Sequence, residues 1–324
     1  RQVQTAILPQ SIPQVSGVDI FATSIPAFEV GGDFFDVIDR SAESLIFSLG
    51  DVTGKGMPAA LLMSMAHTII KAASRNMPFD HPHQVLNRLN HDMESDFSNV
   101  GMFTTVMLGM VDCANCKLHF SNAGQSPIYY MPANGDAVLL EAQDIPVGIL
   151  DTVEYTTQSL SLAHGDLFVA ASDGFPESRN PVGEMYGYER MKNILSASRQ
   201  LSSKQIAEAL LNDVNTFCET HPQDDDRTII VLKFEKQNEK QIMFNDSLTV
   251  RANYEDIRQP CERLRTNLSQ SGVSEEIAGL CELALQELLT NLVDHAYEGN
   301  LNGQITVRMA SKNGQIFLQT EDTG

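Results

Sequence analysis

Several aspartates sit where apolar runs meet turns: Asp33 in VGGDFFD, Asp51 at the end of LIFSLGD, Asp173 in ASDG, and Asp224, Asp225 and Asp226 in HPQDDDRT. Hard divalent cations such as Mg²⁺ and Mn²⁺ need oxygen ligands in near-octahedral geometry, drawn from carboxylates, backbone carbonyls and water. Any one of these aspartates alone reads more readily as a turn or cap residue. Four acids at the same kind of punctuation instead suggest separated carboxylates folding together around metal. Four carboxylates against two divalent ions sum to about zero charge, so a phosphate dianion is not repelled. Two ions ~3.5 to 4 Å apart also acidify a shared water enough to yield hydroxide near neutral pH, and no serine or cysteine nucleophile is then needed.

The stretch Leu45 to Ile70, LIFSLGDVTGKGMPAALLMSMAHTII, organises the rest. An apolar β-type run ends in Gly50-Asp51, a glycine turn follows, and Pro58 opens a long apolar helical pattern. Gly54 to Ala59 fits G-x-G-x-x-A, half of a dinucleotide fingerprint, but no acid stands near position 75 at the end of a second strand. A phosphate-binding P-loop fails, because Lys55 is followed by Gly56 rather than Ser or Thr. Gly31, Gly32, Gly54 and Gly56 allow tight turns and close backbone approach. Lys55 reads either as a phosphate-attracting cation or as a solvated turn lysine.

The 324 residues, 42% hydrophobic, suffice for two domains with their own cores. Twenty-two basic against 42 acidic residues give a net charge of -20, which repels nucleic acid and anionic membrane. No apolar run reaches the ~18 residues of a membrane span and no signal-peptide pattern opens the chain, so a cytoplasmic location is expected. Five scattered cysteines argue against a disulfide framework. Cys113 and Cys116 form one CxxC, but without a second ligand pair it reads as a hairpin turn rather than a zinc site.

Residues 1 to 16 read as the end of a linker helix broken by Pro9 and Pro13. Strand patterns follow at 18–22, 34–39 and 45–49, helices at 58–75 and 83–97, and strands again in MFTTVMLGMVD, KLHFSNAG, PIYYM, YTTQSLSL and DLFVAASD. Helices near 188–199 and 204–218 and a strand at 228–234 complete the first domain, 1–235. Strands come in runs and so do helices, which favours antiparallel sheets flanked by helices, an α+β class. The polar KQNEK patch opens a linker at 236–242, and a second domain takes 243–324: a strand in MFNDSLTV, a helix over 254–268, another from Ser274, and two final strands. Ser274 is an expected N-cap with Glu275 and Glu276 in the first turn. Ile277, Cys281, Ala284, Leu288 and Leu292 keep helical spacing on one face, with Glu287 and Asn291 together on a neighbouring stripe.

The motifs VGGDFFDV, GDVTGKGMPAALLM, FSNAGQSPIYY, PVGIL, SDGFPESRN with YGYERM, and DDRTIIVLKF occur in an order that resembles the metal-dependent protein phosphatase 2C superfamily, in particular its sporulation stage II E type serine phosphatases. The resemblance covers about residues 1 to 235. It implies two antiparallel sheets packed face to face with helices outside, and a metal site at one edge of the sandwich. It further implies that Asp33 binds the second metal, that Asp51 bridges both ions with the Val52 carbonyl as an added ligand, and that Asp173 and Asp225 hold the first. Asp225 is chosen from the triplet because D-D-x-T fits Asp225 to Thr228. Asp36 is implied only as an outer-sphere or third-metal residue. Gln125 stands where this branch usually has histidine after Ala-Gly. The implied substrate is phosphoserine or phosphothreonine on an anti-anti-sigma protein, with Mn²⁺ or Mg²⁺ as cofactor.

CELALQELLTNLVDHAYEGN resembles the N-box of the GHKL ATP-binding superfamily, in particular anti-sigma serine kinases. By that resemblance the second domain is a partial GHKL α/β sandwich for ATP-Mg²⁺. Glu287 would be the base on the acceptor hydroxyl and Asn291 a Mg²⁺ ligand. QTEDTG resembles the start of D-x-G-x-G, with Asp322 at the adenine amino group and Gly324 beside it. With that motif cut short, the kinase module is expected to be inactive in this chain and to bind ATP poorly. The expected whole is a phosphatase coupled to an anti-sigma kinase, exchanging a phosphorylated anti-anti-sigma partner and a sigma or anti-sigma factor. An upstream sensor or receiver domain and a homodimer are also expected. The alternatives are a scaffold that binds its partner without hydrolysis and, remotely, a dehydrogenase.

Overall fold

Most central strands of the first domain are apolar on both faces, and the reason is that each sheet is covered on both sides. The computed structural model describes residues 7–9, 11–75, 81–235, 244–271, 273–295, 303–312 and 315–322. The chain divides into two compact units, Arg1–Lys236 and Gln237–Gly324. The linker read at 236–242 lies outside the described residues, as do residues 1 to 6, part of the segment read as the end of a linker helix.

In the first unit the strands are β1 (Val18–Ile25), β2 (Asp33–Ser41), β3 (Ser44–Val52), β4 (Thr104–Asp112), β5 (Lys117–Ala123), β6 (Ile128–Met131), β7 (Val138–Leu140), β8 (Gln158–Ser161), β9 (Leu167–Ala171) and β10 (Arg227–Phe234). The helices are α1 (Met57–Ser74), α2 (Pro82–Val100), α3 (Tyr188–Ser198) and α4 (Ser203–Cys218). One antiparallel sheet runs β1-β10-β9-β6-β7 and the other β2-β3-β4-β5-β8. The two meet through Leu45, Phe47, Leu49, Phe120, Phe168, Ile230 and Leu232, with Phe168 edge-on to Phe47 and Phe120. The opposite face of the second sheet, including Phe34, Ile46 and Leu108, packs on α1 and α2. The opposite face of the first, including Val169, Ile229 and Val231, packs on α3 and α4.

This is the phosphatase 2C-like arrangement of two antiparallel sheets between outer helices. It also explains why 45–49 reads as a continuous apolar run although its sheet is antiparallel. Alternation marks a sheet with one wet face, and these have none. Strand β7, three residues long and paired to β6, leaves too short a pattern to read. Helix α4 opens on a reciprocal cap between Ser202 and Gln205. The CxxC is the β4–β5 turn, its cysteines free, with Cys113 pushed up to about 12 by burial.

In the second unit β11 (Phe244–Arg251), β12 (Gln304–Lys312) and β13 (Gln315–Asp322) form an antiparallel sheet, and α5 (Arg258–Gln270) and α6 (Glu275–His295) share its core. Helix α5 starts at Arg258, four residues later than expected, because the Asn253 side chain accepts from the Glu255 and Asp256 N–H groups and holds them in a turn. Ser274 caps α6 through the Ile277 N–H. The buried stripe of α6 is Ala278, Leu285, Leu289 and Val293, not the expected one. Ile277 and Leu288 are exposed, while Cys281 and Leu292 pack at the edge of the core. Small Ala284 gave no signal for choosing between two apolar stripes one residue apart. Among the described residues no helix is long and apolar enough to cross a membrane.

Candidate active site

The acids gather at one edge of the sandwich because the strands carrying them end there. Asp33 opens β2 and Asp51 lies near the end of β3, and the antiparallel register sets them directly opposite each other. In the other sheet Asp173 follows β9 and Asp225 precedes β10; these strands are antiparallel neighbours, so both residues emerge on the same side. Thr228 joins the two sheets by donating its hydroxyl to the Asp33 carboxylate. The Ser172 hydroxyl accepts from the Thr228 N–H at 3.0 Å and donates to the Asp226 carbonyl at 3.2 Å, latching the turn after β9 onto β10.

The electrostatics are those of crowded carboxylates, with the Lys55 ammonium beside Asp225 at the rim. Burial pushes Asp33 well above the usual carboxylate range, and the facing Asp51 adds to it against the Thr228 hydrogen bond. Burial, then the charges of Asp173 and Asp225, push Asp51 up to about 7. Asp173 is raised by burial and by Glu177 and Asp225. Such a cluster retains protons near neutrality or takes up a cation.

The triplet divides by role. Asp226 is buried, accepts from the Ala27 N–H at 2.8 Å and the Asp33 N–H at 3.4 Å, and so ties down the loop before β2. Asp225 is half exposed. It accepts from the Asp226 N–H at 2.9 Å and has the Lys55 ammonium 3.3 Å away. Lys55 also donates to the Asp224 carbonyl at 2.6 Å. Asp225, Asp224, Lys55, Glu177 and Arg179 line a cavity of about 270 Å³. The exposed Lys55 pair adds little stability, but it fixes a cation beside the acids.

The acids of this edge offer oxygen donors, which suit Mg²⁺ or Mn²⁺. Gly31 and Gly32 leave the backbone bare against them. A Cβ at Gly31 would lie 1.5 Å from Asp226 Oδ2, and one at Gly32 would lie 2.3 Å from the Val52 carbonyl and 2.8 Å from Asp51 Oδ1. Among the described residues no three His, Cys, Asp or Glu side chains close around one point. The donor set is an open acidic rim, which fits ions that keep several waters, as Mg²⁺ does.

Sequence reasoning passed over three features. Asp226 carries a structural role hidden by its identity with its neighbours. Thr228 served there only to choose a register, although it bonds Asp33. Asp36 and His67 form a buried pair that the partly exposed Lys71 joins, with His67 Nε2 3.1 Å and Lys71 Nζ 3.2 Å from Asp36 Oδ2. Their signal was available: His67 and Lys71 are four apart on α1, facing the strand that begins at Asp33. Gln125 is buried, its amide oxygen accepting from the Ser126 N–H at 2.8 Å.

In the second unit Glu287 and Asn291 are both exposed, one turn apart on α6. Asp322 ends β13 opposite Ile305, with only its backbone described; Gly324 lies outside the described residues.

The sequence matches the family model for stage II sporulation protein E (SpoIIE) over residues 41–235. It matches a histidine kinase-like ATPase domain over residues 250–324. It is 33% identical over 237 residues to the phosphoserine phosphatase RsbU of Bacillus subtilis, which covers 71% of this chain and 68% of that protein. It is 28% identical over 222 residues to protein IcfG of a Synechocystis strain, 61% of this chain but 35% of that protein. The chain thus spans about a third of IcfG and about two thirds of RsbU in length. Among solved structures, the SiaA-PP2C domain of Pseudomonas aeruginosa superimposes with a TM-score of 0.65 at 26% identity, covering 72% of this chain and 94% of that one.

Proposed function

The chain belongs to the stage II sporulation protein E family of phosphatase 2C-type protein phosphatases, and from that footing we propose that residues 1–235 hydrolyse phosphoserine or phosphothreonine on an anti-anti-sigma-type protein. The observation that carries this reading is the Asp33–Asp51 pair, flanked by Asp173 and Asp225 at a sandwich edge. Asp33 would hold one divalent ion, Asp173 and Asp225 the other, and Asp51 both, with the Val52 carbonyl an added donor. When bound, Mn²⁺ or Mg²⁺ supplies a water acidic enough to attack phosphorus and charge to offset the phosphate. The chain's own residues do the rest. Thr228 orients Asp33, Asp226 fixes the glycine loop, and Lys55 and Arg179 on the cavity wall attract the phosphate dianion. RsbU, named as a phosphoserine phosphatase, supports the substrate class.

For residues 243–324 we propose an anti-sigma serine kinase-like module that binds Mg²⁺-ATP, with Glu287 as base, Asn291 as metal ligand and Asp322 toward the adenine. The histidine kinase-like ATPase match supports it. Together the modules would set the phosphorylation state of one small regulator in a sigma-factor partner switch.

Phosphate release from a phosphoserine peptide with Mn²⁺ tests the first proposal. Turnover should require the metal and fall by at least ~100-fold in Asp51→Asn or Asp173→Asn. The alternative is a scaffold that binds its partner without hydrolysis. Tight binding of the partner with no metal-dependent turnover would decide for that scaffold.

A further inference from the structure

Between Asp173 and α3 the chain makes a small hairpin, and its sequence says why. Asn180, Pro181 and Gly183 hold the first, second and fourth places that a tight turn favours, and the Gly183 N–H donates to the Asn180 carbonyl at 2.9 Å. The Asn180 side chain accepts from the Val182 and Glu184 N–H groups at 3.1 and 2.9 Å, and donates to the Glu184 carboxylate. Below the turn Arg179 and Met185 pair as an antiparallel bridge. The Arg179 guanidinium donates to the Gly183 carbonyl at 3.0 Å. This dense bonding fixes an element whose apolar side chains nonetheless face water: Val182 is 79% exposed and Met185 51%.

The hairpin rises from the wall of the acidic cavity, because Arg179 lines that cavity with Lys55, Glu177 and Asp225. Residues opposite each other in an antiparallel pair share one face, so Met185 stands beside the residue that reaches the cavity. At about 270 Å³ the cavity is smaller than the ~300–1,000 Å³ of a drug-sized ligand site. It admits a phosphoserine side chain, and the body of a substrate protein stays outside, on the rim. Resting on the phosphatase reading above, we infer that the 179–185 hairpin is a docking element for the folded phosphoprotein substrate, with Val182 and Met185 seated against an apolar patch of its surface. Charge sets the occupant: a phosphate dianion is drawn to Arg179 and Lys55, which brings the protein that carries it onto the tip. A loop already held in place loses little freedom on binding, and methionine and arginine are enriched where proteins meet. A rigid tip reads a preformed surface, so what it recognises is the fold of the partner and not the residues flanking the phosphoserine.

The test gives the Mn²⁺-loaded chain three substrates: a folded phosphorylated anti-anti-sigma protein, a short phosphoserine peptide excised from its sequence, and p-nitrophenyl phosphate. Docking that acts equally on ground and transition states appears in KM alone. The double variant Val182→Ser, Met185→Gln should therefore raise KM for the folded protein by ~10-fold or more at unchanged kcat. Its kcat/KM for the peptide and for p-nitrophenyl phosphate should stay at the wild-type value. Val182→Ile with Met185→Leu, which keeps the tip apolar, should keep the wild-type KM for the folded protein. The inference is overturned if the polar double variant handles the folded protein as the wild-type chain does, or loses the peptide or the small ester to the same extent. Should the wild-type chain hydrolyse none of the three, the phosphatase reading falls and binding decides the hairpin alone. Weaker binding of the phosphorylated protein by the polar variant, read by fluorescence anisotropy, then sustains the docking element, and equal binding overturns it.

Discussion

Asp33 and Asp51 face each other across the β2–β3 register at the mouth of the site. Like charges directly opposite on neighbouring strands destabilise a sheet, and here burial adds to the cost, lifting Asp51 to about 7. A carboxyl whose folded value lies above its unfolded value of ~3.9 holds its proton more tightly in the folded state. Its stabilising contribution is complete below ~3.9 and is lost as pH rises toward 7. In chelator, Asp51→Asn should therefore melt above the wild-type chain at pH 8, by more than ~4 °C, with a smaller gap at pH 5. Millimolar Mn²⁺ should close or reverse the gap at pH 8, because only the wild-type acid gains from the ion. Calorimetry in chelator and in Mn²⁺ checks it; parallel pH dependence of the two proteins would sink the idea.

Gly32 leaves no room for a side chain. A methyl there would sit 2.3 Å from the Val52 carbonyl and 2.8 Å from Asp51 Oδ1, against backbone and a half-buried acid. Gly32→Ala should weaken Mn²⁺ affinity by ~10-fold or more while the far-ultraviolet circular dichroism stays native. Isothermal titration with Mn²⁺ reads it, and wild-type affinity in a folded variant would show that the Gly32–Asp51 approach does not matter.

Asp36 fastens α1 to β2 three residues from Asp33, buried against His67 and Lys71. Burial raises its carboxyl, but the hydrogen bonds and charges of the two bases win, and the net shift is downward. A depressed carboxyl contributes stability above its unfolded value of ~3.9 and loses it as pH falls through the folded value. Asp36→Asn should cost about 2–3 kcal/mol in urea unfolding at pH 7, with the deficit shrinking below about pH 4. An equal deficit at pH 3 and pH 7 would assign the loss to packing alone.

The strands and helices of the sandwich were legible because their apolar periodicity is strong, and the acids were legible because each sits at a strand end. What the residues could not reveal was partnership across the chain. Asp225 and Asp226 are the same residue type in adjacent positions, yet one faces a cavity and the other buckles a loop 190 or more residues away in sequence. The buried stripe of α6 was misplaced by one position because apolar residues lie on both sides of it. Lys55 lies in a turn, and the cavity it lines depends on Asp225 arriving from the far end of the domain.

Arg227 offers the last prediction, since it stiffens the site from behind. Its buried guanidinium donates to Ser178 Oγ at 3.0 Å and Asn215 Oδ1 at 2.9 Å, and approaches Cys218 Sγ at 3.3 Å. Ser178 in turn donates to the Gly174 carbonyl at 2.6 Å, so α4 and the turn after Asp173 are bound to β10 through one side chain. Arg227→Ala leaves these groups without their donor and opens a void, which should cost about 2–4 kcal/mol. Arg227→Lys keeps the charge but not the planar fork, and cannot reach all three acceptors. The lysine variant should thus recover part of the stability yet show a raised Mn²⁺ dissociation constant, because the Asp173 turn is no longer pinned at Ser178. Chemical denaturation and metal titration of both variants separate the effects. Wild-type metal affinity in a well-folded Arg227→Lys protein would confine Arg227 to stability.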